Sequence, residues 1–238
     1  MRTFGLIGKT LDHSFSSKYF TKKFLKERIS EAEYLNFEID DISGFNELIH
    51  NNKFSGLNVT IPYKQSVIPF LDRLSKEAEI IGAVNTIDFI DGKLIGHNTD
   101  HIGFRKSIIP LLNNRKRAII LGNGGAARAI KYALKELNIE YKTVNRRTSS
   151  DYLDVTRETI KHYSIIINAT PVGSKPEKHR YPRIPYESLN DKNLLFDLIY
   201  NPTETKFLAQ GKANNAQTKN GLEMLKIQAE ESWNIWNL

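Results

Sequence analysis

Between Arg117 and Leu137 the chain passes from Ala118-Ile119-Ile120-Leu121 through Gly122-Asn123-Gly124-Gly125-Ala126-Ala127 into Arg128-Ala129-Ile130-Lys131-Tyr132-Ala133-Leu134. An apolar run, a glycine turn and an alanine-rich segment with helical spacing predict strand, tight loop and helix. Gly122, Gly124 and Ala127 fit the G-x-G-x-x-G/A pattern of a dinucleotide site. The first glycine permits the turn, the second lets the backbone approach a pyrophosphate, and the small third residue lets helix and strand pack closely. Amides at the helix start, together with the positive end of its dipole, offer an anion site. A glycine turn after a strand can also be purely structural, so the rest of the chain has to decide.

With 238 residues the chain can form one large domain or two modest ones. A net charge of +7 permits anionic partners, but Lys and Arg are spread along the chain, as on a solvated surface, and no basic and aromatic module for nucleic acid stands out. The absence of cysteine excludes disulfides and thiol chemistry, and the six histidines show no metal-ligand spacing, so no metal is expected. Thr3-Phe4-Gly5-Leu6-Ile7 reads as a strand with no signal-peptide pattern before it, and no apolar run reaches membrane-spanning length. The expectation is a soluble cytoplasmic protein with a small-molecule substrate, without membrane or nucleic-acid partners, as a monomer or homodimer.

After the first strand come Ser14 and Ser16, then a helix over Lys18 to Arg28. On an extended segment two serines two apart point the same way, and two parallel hydroxyls suit a carboxylate; alternatively they only cap the helix. Tyr34 to Ile39 reads as a strand, Ile42 to His50 as a helix and Ser55 to Thr60 as a strand, with Pro62 suited to a first helical turn. This order implies a largely parallel sheet whose binding crevice lies at the carboxyl ends of its strands, where Asn58, Thr60 and Lys64 fall. A lysine there can hold its ammonium against a substrate hydroxyl, although a lone lysine can equally be solvated. Leu74 to Ile81 reads as a helix, and Asp91-Gly92 as the turn of a hairpin whose returning strand ends at His97-Asn98-Thr99-Asp100. Asp100 is either a helix cap or a carboxylate that orients Lys64 while a proton moves.

Gly8 to Ser16 with its His-Ser-x-Ser segment, Gly56-Leu57-Asn58-Val59-Thr60-Ile61-Pro62-Tyr63-Lys64, Gly82-Ala83-Val84-Asn85-Thr86 and Gly96-His97-Asn98-Thr99-Asp100 together resemble the shikimate dehydrogenase family, in its order and spacing. The resemblance implies that Ser14 and Ser16 hold the shikimate carboxylate and that Asn58, Thr60, Asn85 and Asp100 bind ring hydroxyls. Lys64 is then the acid/base group with Asp100 its partner, either of them the formal proton donor. Ser17 stands where the family usually has proline.

Beyond the glycine loop, Asn138 is expected to end the helix, and Glu140 to Val144 forms a strand followed by Asn145-Arg146-Arg147. An NAD-selective fold carries an acidic residue there, whereas two guanidinium groups can bind a 2′-phosphate, so this turn favours NADP unless it is merely a solvated basic turn. Ser164 to Asn168 reads as a strand buried on both faces. It leads into Ala169-Thr170-Pro171-Val172-Gly173, which resembles the family's N-A-T-P-x-G loop beside the cofactor. Ser174 to Pro185 reads as a surface loop. Asn193 to Tyr200 is the last buried strand, and with Pro202 and Thr205 it resembles the family's D-x-x-Y-x-P-x-x-T block. Asn220-Gly221 opens a terminal helix with Leu222, Leu225, Ala229 and Trp233 on one face.

The resemblance places Tyr200 and Gln228 on the substrate, and Gly122, Asn123, Gly124, Gly125, Ala126, Asn145, Arg146, Thr170 and Gly221 on NADP, with Arg147 substituting for an arginine the family often has further on. It implies a two-domain α/β protein. Residues 1–101 and 221–238 form the substrate domain, with a mainly parallel sheet, and residues 102–220 a Rossmann-type NADP domain, the last helix returning to the first domain. The expected reaction is the reversible NADPH-dependent reduction of 3-dehydroshikimate to shikimate. A quinate/shikimate dehydrogenase using NAD or NADP, and a noncatalytic sensor of the pathway acid, are the alternatives. Retention of Lys64 and Asp100 with the cofactor loop speaks against the sensor.

Overall fold

A computed structural model describes residues 1–11, 14–145 and 152–238. His13, Arg146 and Arg147 lie outside the described residues. The chain divides into two compact units, Met1–Thr99 with Gln228–Leu238, and Asp100–Ile227.

The first unit contains β1 (Arg2–Gly8), α1 (Phe15–Glu27), β2 (Ala32–Glu38), α2 (Phe45–Asn51), β3 (Gly56–Val59), β4 (Arg73–Leu74), α3 (Lys76–Ile81), β5 (Thr86–Ile90) and β6 (Lys93–His97). Its six strands form one sheet in the order β2-β1-β3-β5-β6-β4. β1 pairs in parallel with β2 and β3, and β4 with β6, whereas β5 is antiparallel to both β3 and β6. The antiparallel insertion follows from the hairpin turn: Asp91 and Gly92 both have positive φ, 50° and 73°, the twist that suits a two-residue hairpin. Alternate β1 side chains enter two cores: Phe4 and Leu6 pack with Phe20, Phe24, Ala229 and Trp236, and Ile7 packs with Phe45, Leu57, Val59 and Ile87.

Two local expectations are corrected. No helix opens at Pro62; residues 61–67 are turns closed by Tyr63 N–H to Thr60 O and Val67 N–H to Tyr63 O, and a short 3-10 segment follows at Ile68–Phe70. The helix read from Leu74 begins at Lys76, because the Ser75 hydroxyl accepts from Ala78 N–H as its cap while Leu74 pairs with Gly96.

The second unit contains α4 (Asp100–Ile108), β7 (Arg117–Leu121), α5 (Gly125–Glu136), β8 (Glu140–Val144), α6 (Arg157–His162), β9 (Ile165–Asn168), β10 (Leu194–Asp197), α7 (Lys206–Ala213), β11 (Gln217–Lys219) and the start of α8 (Leu222–Ile235). Its sheet runs β11-β10-β9-β7-β8, all parallel. Ala118, Ile120, Ile165 and Ile167 face one core, and Ile119, Leu121 and Ile166 the other. Burial on both faces explains why these strands are apolar without alternation. Asn138, at φ 53°, turns the chain out of α5 as expected.

On α8 the residues buried most deeply are Met224, Gln228, Ala229 and Ser232, with Trp236 buried just beyond its end, while Leu222, Leu225 and Trp233 of the expected stripe are half-buried. The helix is rotated from its apolar stripe because Gln228 and Ser232 have polar partners in the first unit. Among the described residues no helix is long and apolar enough to cross a membrane, and no cluster of His, Asp and Glu is arranged to hold a metal ion.

Candidate active site

In the first unit the chemistry-bearing residues surround one buried polar network. Asn58, on β3, lies opposite Thr86 of β5 in the sheet register. Its Nδ2 donates to Asn85 O (3.1 Å), Thr86 Oγ1 (3.3 Å) and Ser232 Oγ (3.0 Å), and its Oδ1 accepts from the Tyr34 hydroxyl at 2.7 Å. The Asn85 Nδ2 donates to Thr99 Oγ1 (2.9 Å) and to Gln228 Oε1 (3.1 Å), and its Oδ1 accepts from Thr99 N–H at 2.7 Å. Ser232 bonds the Thr86 hydroxyl at 2.8 Å and donates to the Gln228 carbonyl at 3.0 Å. Asn58 on β3, Asn85 just before β5 and Gln228 on α8 are thus brought together. Burial makes each of these amides demand partners, which fixes their orientation.

Sequence reasoning missed Tyr34, Thr86, Thr99 and Ser232. Ser232 could have been found, since it stands four residues after Gln228 and so on the same helix face. Thr86 becomes visible only once β3 and β5 are known to pair.

Ser14 and Ser16 do not lie on an extended segment. Ser14 caps α1, its hydroxyl accepting from Ser17 N–H at 3.4 Å, and Ser16 is in the first helical turn, buried and hydrogen-bonded to Tyr34. The capping geometry wins because an oxygen at this position satisfies a first-turn amide. Thr60 follows β3, its amide held by Ile7 O at 2.9 Å; Lys64 is half-buried in the succeeding turn, where its carbonyl accepts from Val84 N–H at 2.7 Å.

In the second unit Asp100 is the first residue of α4 and is buried, a position where the helix dipole favours a carboxylate. The glycine loop follows β7 as expected. Gly122 has φ 105°, a conformation L side chains rarely adopt, and an added Cβ would come within 2.7 Å of Thr170 Cγ2. Gly124 caps α5 without a side-chain bond, and an added Cβ there meets nothing within 4 Å. Gly125 and Ala126 form the first helical turn, whose amides have no intrahelical acceptor. The exposed Asn123 accepts from Lys131 Nζ at 2.6 Å. Asn145 is exposed just beyond β8. Thr170 is half-buried beside Gly122, its hydroxyl donating to Asn168 Oδ1 at 2.6 Å. Tyr200 is half-buried after β10. Gly221 abuts Leu198, whose carbonyl would overlap an added Cβ, so only glycine fits.

Asp197, at the end of β10, went unassigned. It is fully buried, and its three partners are neutral: Asn168 Nδ2 (3.0 Å), Ile199 N–H (3.0 Å) and Thr205 Oγ1 (2.6 Å). Burial pushes its carboxyl up to about 7, against the lowering effect of those bonds. Between the ordinary carboxylate value of 3.8 and about 7 the folded chain holds a proton the unfolded chain has released. Stability therefore falls as pH rises through that window, and the loss is complete above it. Asp197→Asn is accordingly expected to melt higher than the parent near pH 8, by on the order of 2 kcal/mol, with the gap closing near pH 4. Thermal melts of both proteins across this range check it; a variant less stable at every pH would contradict it.

Residues 6–87 match the model of the shikimate dehydrogenase substrate binding domain. A Pelagibacter ubique protein named shikimate dehydrogenase (NADP(+)) is 39% identical over 252 residues, spanning 99% of this chain and 93% of that protein. Among solved structures, a shikimate dehydrogenase in complex with NADP+ superposes with a TM-score of 0.87 at 34% identity, covering 99% of this chain and 90% of the other. The Thermus thermophilus enzyme in complex with NADP(H) and shikimate gives 0.86 at 30% identity, covering 99% and 93%. A similarity that takes in both units, the glycine loop and the polar network around Asn58 leaves one conclusion: the chain belongs to the shikimate dehydrogenase family.

Proposed function

We propose that this protein is an NADP-dependent shikimate dehydrogenase, catalysing the reversible reduction of 3-dehydroshikimate to shikimate. The observation that carries the reading is similarity along the whole chain, at 39% identity, to a protein named for that activity. The second unit fits the cofactor: the turn at Gly122, the open space over Gly124 and the uncapped first turn of α5 form a cradle for a pyrophosphate. When bound, the nicotinamide supplies the hydride.

The protein aligns and protonates. Asn85 and Gln228, fixed by the buried network, are proposed to bind the ring hydroxyls together with Thr60 and Asp100, and Ser14 and Ser16 the carboxylate. Asn58, whose amide the same network fixes, is proposed to bind a ring hydroxyl with them. Tyr200 is proposed to contact substrate from the second unit. Gly122 to Ala126, Asn145, Arg146, Arg147, Thr170 and Gly221 are proposed to hold NADP, the two arginines reading its 2′-phosphate. Lys64 and Asp100 are the proposed acid/base pair: Lys64 gives a proton to the alkoxide developing at C3 and accepts it in the reverse direction.

An absorbance assay at the reduced-nicotinamide band, crossing shikimate and quinate with NADP+ and NAD+, tests the proposal. Shikimate with NADP+ is expected to be fastest; silence in all four combinations rejects it in favour of a ligand sensor. Gly124→Ala is expected to fold normally, because its backbone is extended (φ −76°, ψ −174°) and the methyl meets no protein atom. It is expected to raise the KM for NADP+ about tenfold by occupying the cradle. An unchanged KM would place the pyrophosphate elsewhere.

A further inference from the structure

Three loops at the carboxyl ends of β7, β9 and β10 are joined through one carboxylate. Asp197 accepts from Asn168, Ile199 N–H and the Thr205 hydroxyl. Asn168, itself fully buried, turns its Oδ1 to the Thr170 amide (3.2 Å) and hydroxyl (2.6 Å), and its Nδ2 also reaches Val172 O at 3.2 Å. The Thr170 methyl then stands against Gly122. One line of contacts thus runs from Asp197 through Asn168 and Thr170 to the first glycine of the fingerprint. A second runs through Ile199 to the backbone immediately before Tyr200, and a third through Thr205 to the start of α7, where that hydroxyl accepts from Leu208 N–H at 3.3 Å.

Ligands of an open parallel sheet bind outside the carboxyl ends of its strands, and these loops form that rim. A buried charge among neutral partners is costly, and a neutral residue of the same shape would hold the core better, so packing does not account for a carboxylate here. Its chemistry does: a carboxylate accepts on every side, and three donors from three segments converge on it.

We propose that Asp197 is a positioning residue for the cofactor, setting the Thr170 loop and the Ile199–Tyr200 segment against the glycine loop and so governing NADP affinity without touching it. The inference rests on the NADP-dependent reading of the site. Buried polar networks of this kind are stringent, because each member fixes the orientation of the next.

The test uses full-length Asp197→Ala, Asp197→Asn and Thr205→Val. Steady-state rates are taken with NADP+ and then shikimate varied, alongside calorimetric titration of NADP+ and thermal melting. Asp197→Ala is expected to raise the KM and Kd for NADP+ about tenfold, with the KM for shikimate within about twofold of the parent. Asp197→Asn keeps an oxygen for Asn168 and Ile199 and is expected to restore affinity to within about threefold, with Thr205→Val falling between. Unchanged NADP+ affinity in Asp197→Ala, equal rises in both KM values, or a fall in kcat that merely follows the folded fraction overturns the inference. Should Asp197→Ala not fold, Thr205→Val decides, and wild-type NADP+ affinity in that variant overturns it. A parent protein that binds NADP+ in the calorimeter yet oxidises no shikimate rejects the enzymatic reading while leaving the affinity test intact.

Discussion

Lys64→Ala is expected to lower kcat by about 10²-fold or more, the range lost when acid/base help is removed, with a smaller effect on the KM for shikimate. The backbone around residue 64 has anchors of its own. The turn is held by backbone bonds, Val84 N–H to Lys64 O at 2.7 Å and Val67 N–H to Tyr63 O at 3.0 Å, and by the packed Tyr63, whose hydroxyl donates to Ile39 O at 2.5 Å. Thermal melts of the variant beside the parent separate lost chemistry from lost folding. Lys64→Arg is expected to remain nearly as slow, because a guanidinium does not surrender its proton at neutral pH. Steady-state rates with shikimate and NADP+ decide the matter: an alanine variant within a few-fold of the parent would mean that another group manages the proton.

The second large effect is structural. Trp236→Ala is expected to destabilise the first unit by about 3–5 kcal/mol, since a large buried ring leaves both a cavity and lost transfer energy. Trp236 is 7% exposed, its ring lies 4.9 Å from Phe4 and 5.6 Å from Phe20 between centroids, and its Nε1 donates to Ile87 O at 3.0 Å. It also covers Gly56, where any Cβ would collide with the indole. Deletion thus orphans a buried carbonyl and uncovers β3 two residues before Asn58. Because Gln228 and Ser232 lie on the helix that ends just before Trp236, the KM for shikimate should rise along with the loss of stability. Thermal and urea melts measure the first effect and initial rates the second; a melting temperature within about 2 °C of the parent would contradict the packing described, for about 2–4 °C is lost per kcal/mol in a protein this size.

How far the sequence could be read depended on whether local chemistry or distant partners set each feature. The glycine loop was legible because the positive φ of Gly122 is a local demand. The Asp91-Gly92 hairpin and the isoleucine-rich β9 were legible for similar reasons: a turn residue and a strand buried on both faces leave direct marks in composition. The pairing of β5 with β3 was hidden, since alternating strand and helix signals carry no sheet order. Ser14 and Ser16 left two readings open because capping competes with extended structure for the same residue types, and Ser14 is a cap. The rotation of α8 escaped hydrophobic periodicity for a deeper reason. That method turns apolar residues inward, whereas Gln228 and Ser232 are drawn inward by amides and hydroxyls on β3, β5 and the segment at Thr99, which no inspection of the helix alone can supply.

The first unit is assembled from two separate stretches, Met1–Thr99 and Gln228–Leu238: Phe4 rests on Trp236, and Arg2 Nη1 reaches Asn237 Oδ1 at 2.7 Å. The stretch between, Asp100–Ile227, is continuous and carries its own two cores. Every contact within those two cores is therefore made inside one uninterrupted stretch of chain. The amino-terminal portion must wait, with one flank of its interior uncovered, until residues 228–238 have been made, which makes it the part of the newborn chain that most needs protection from aggregation.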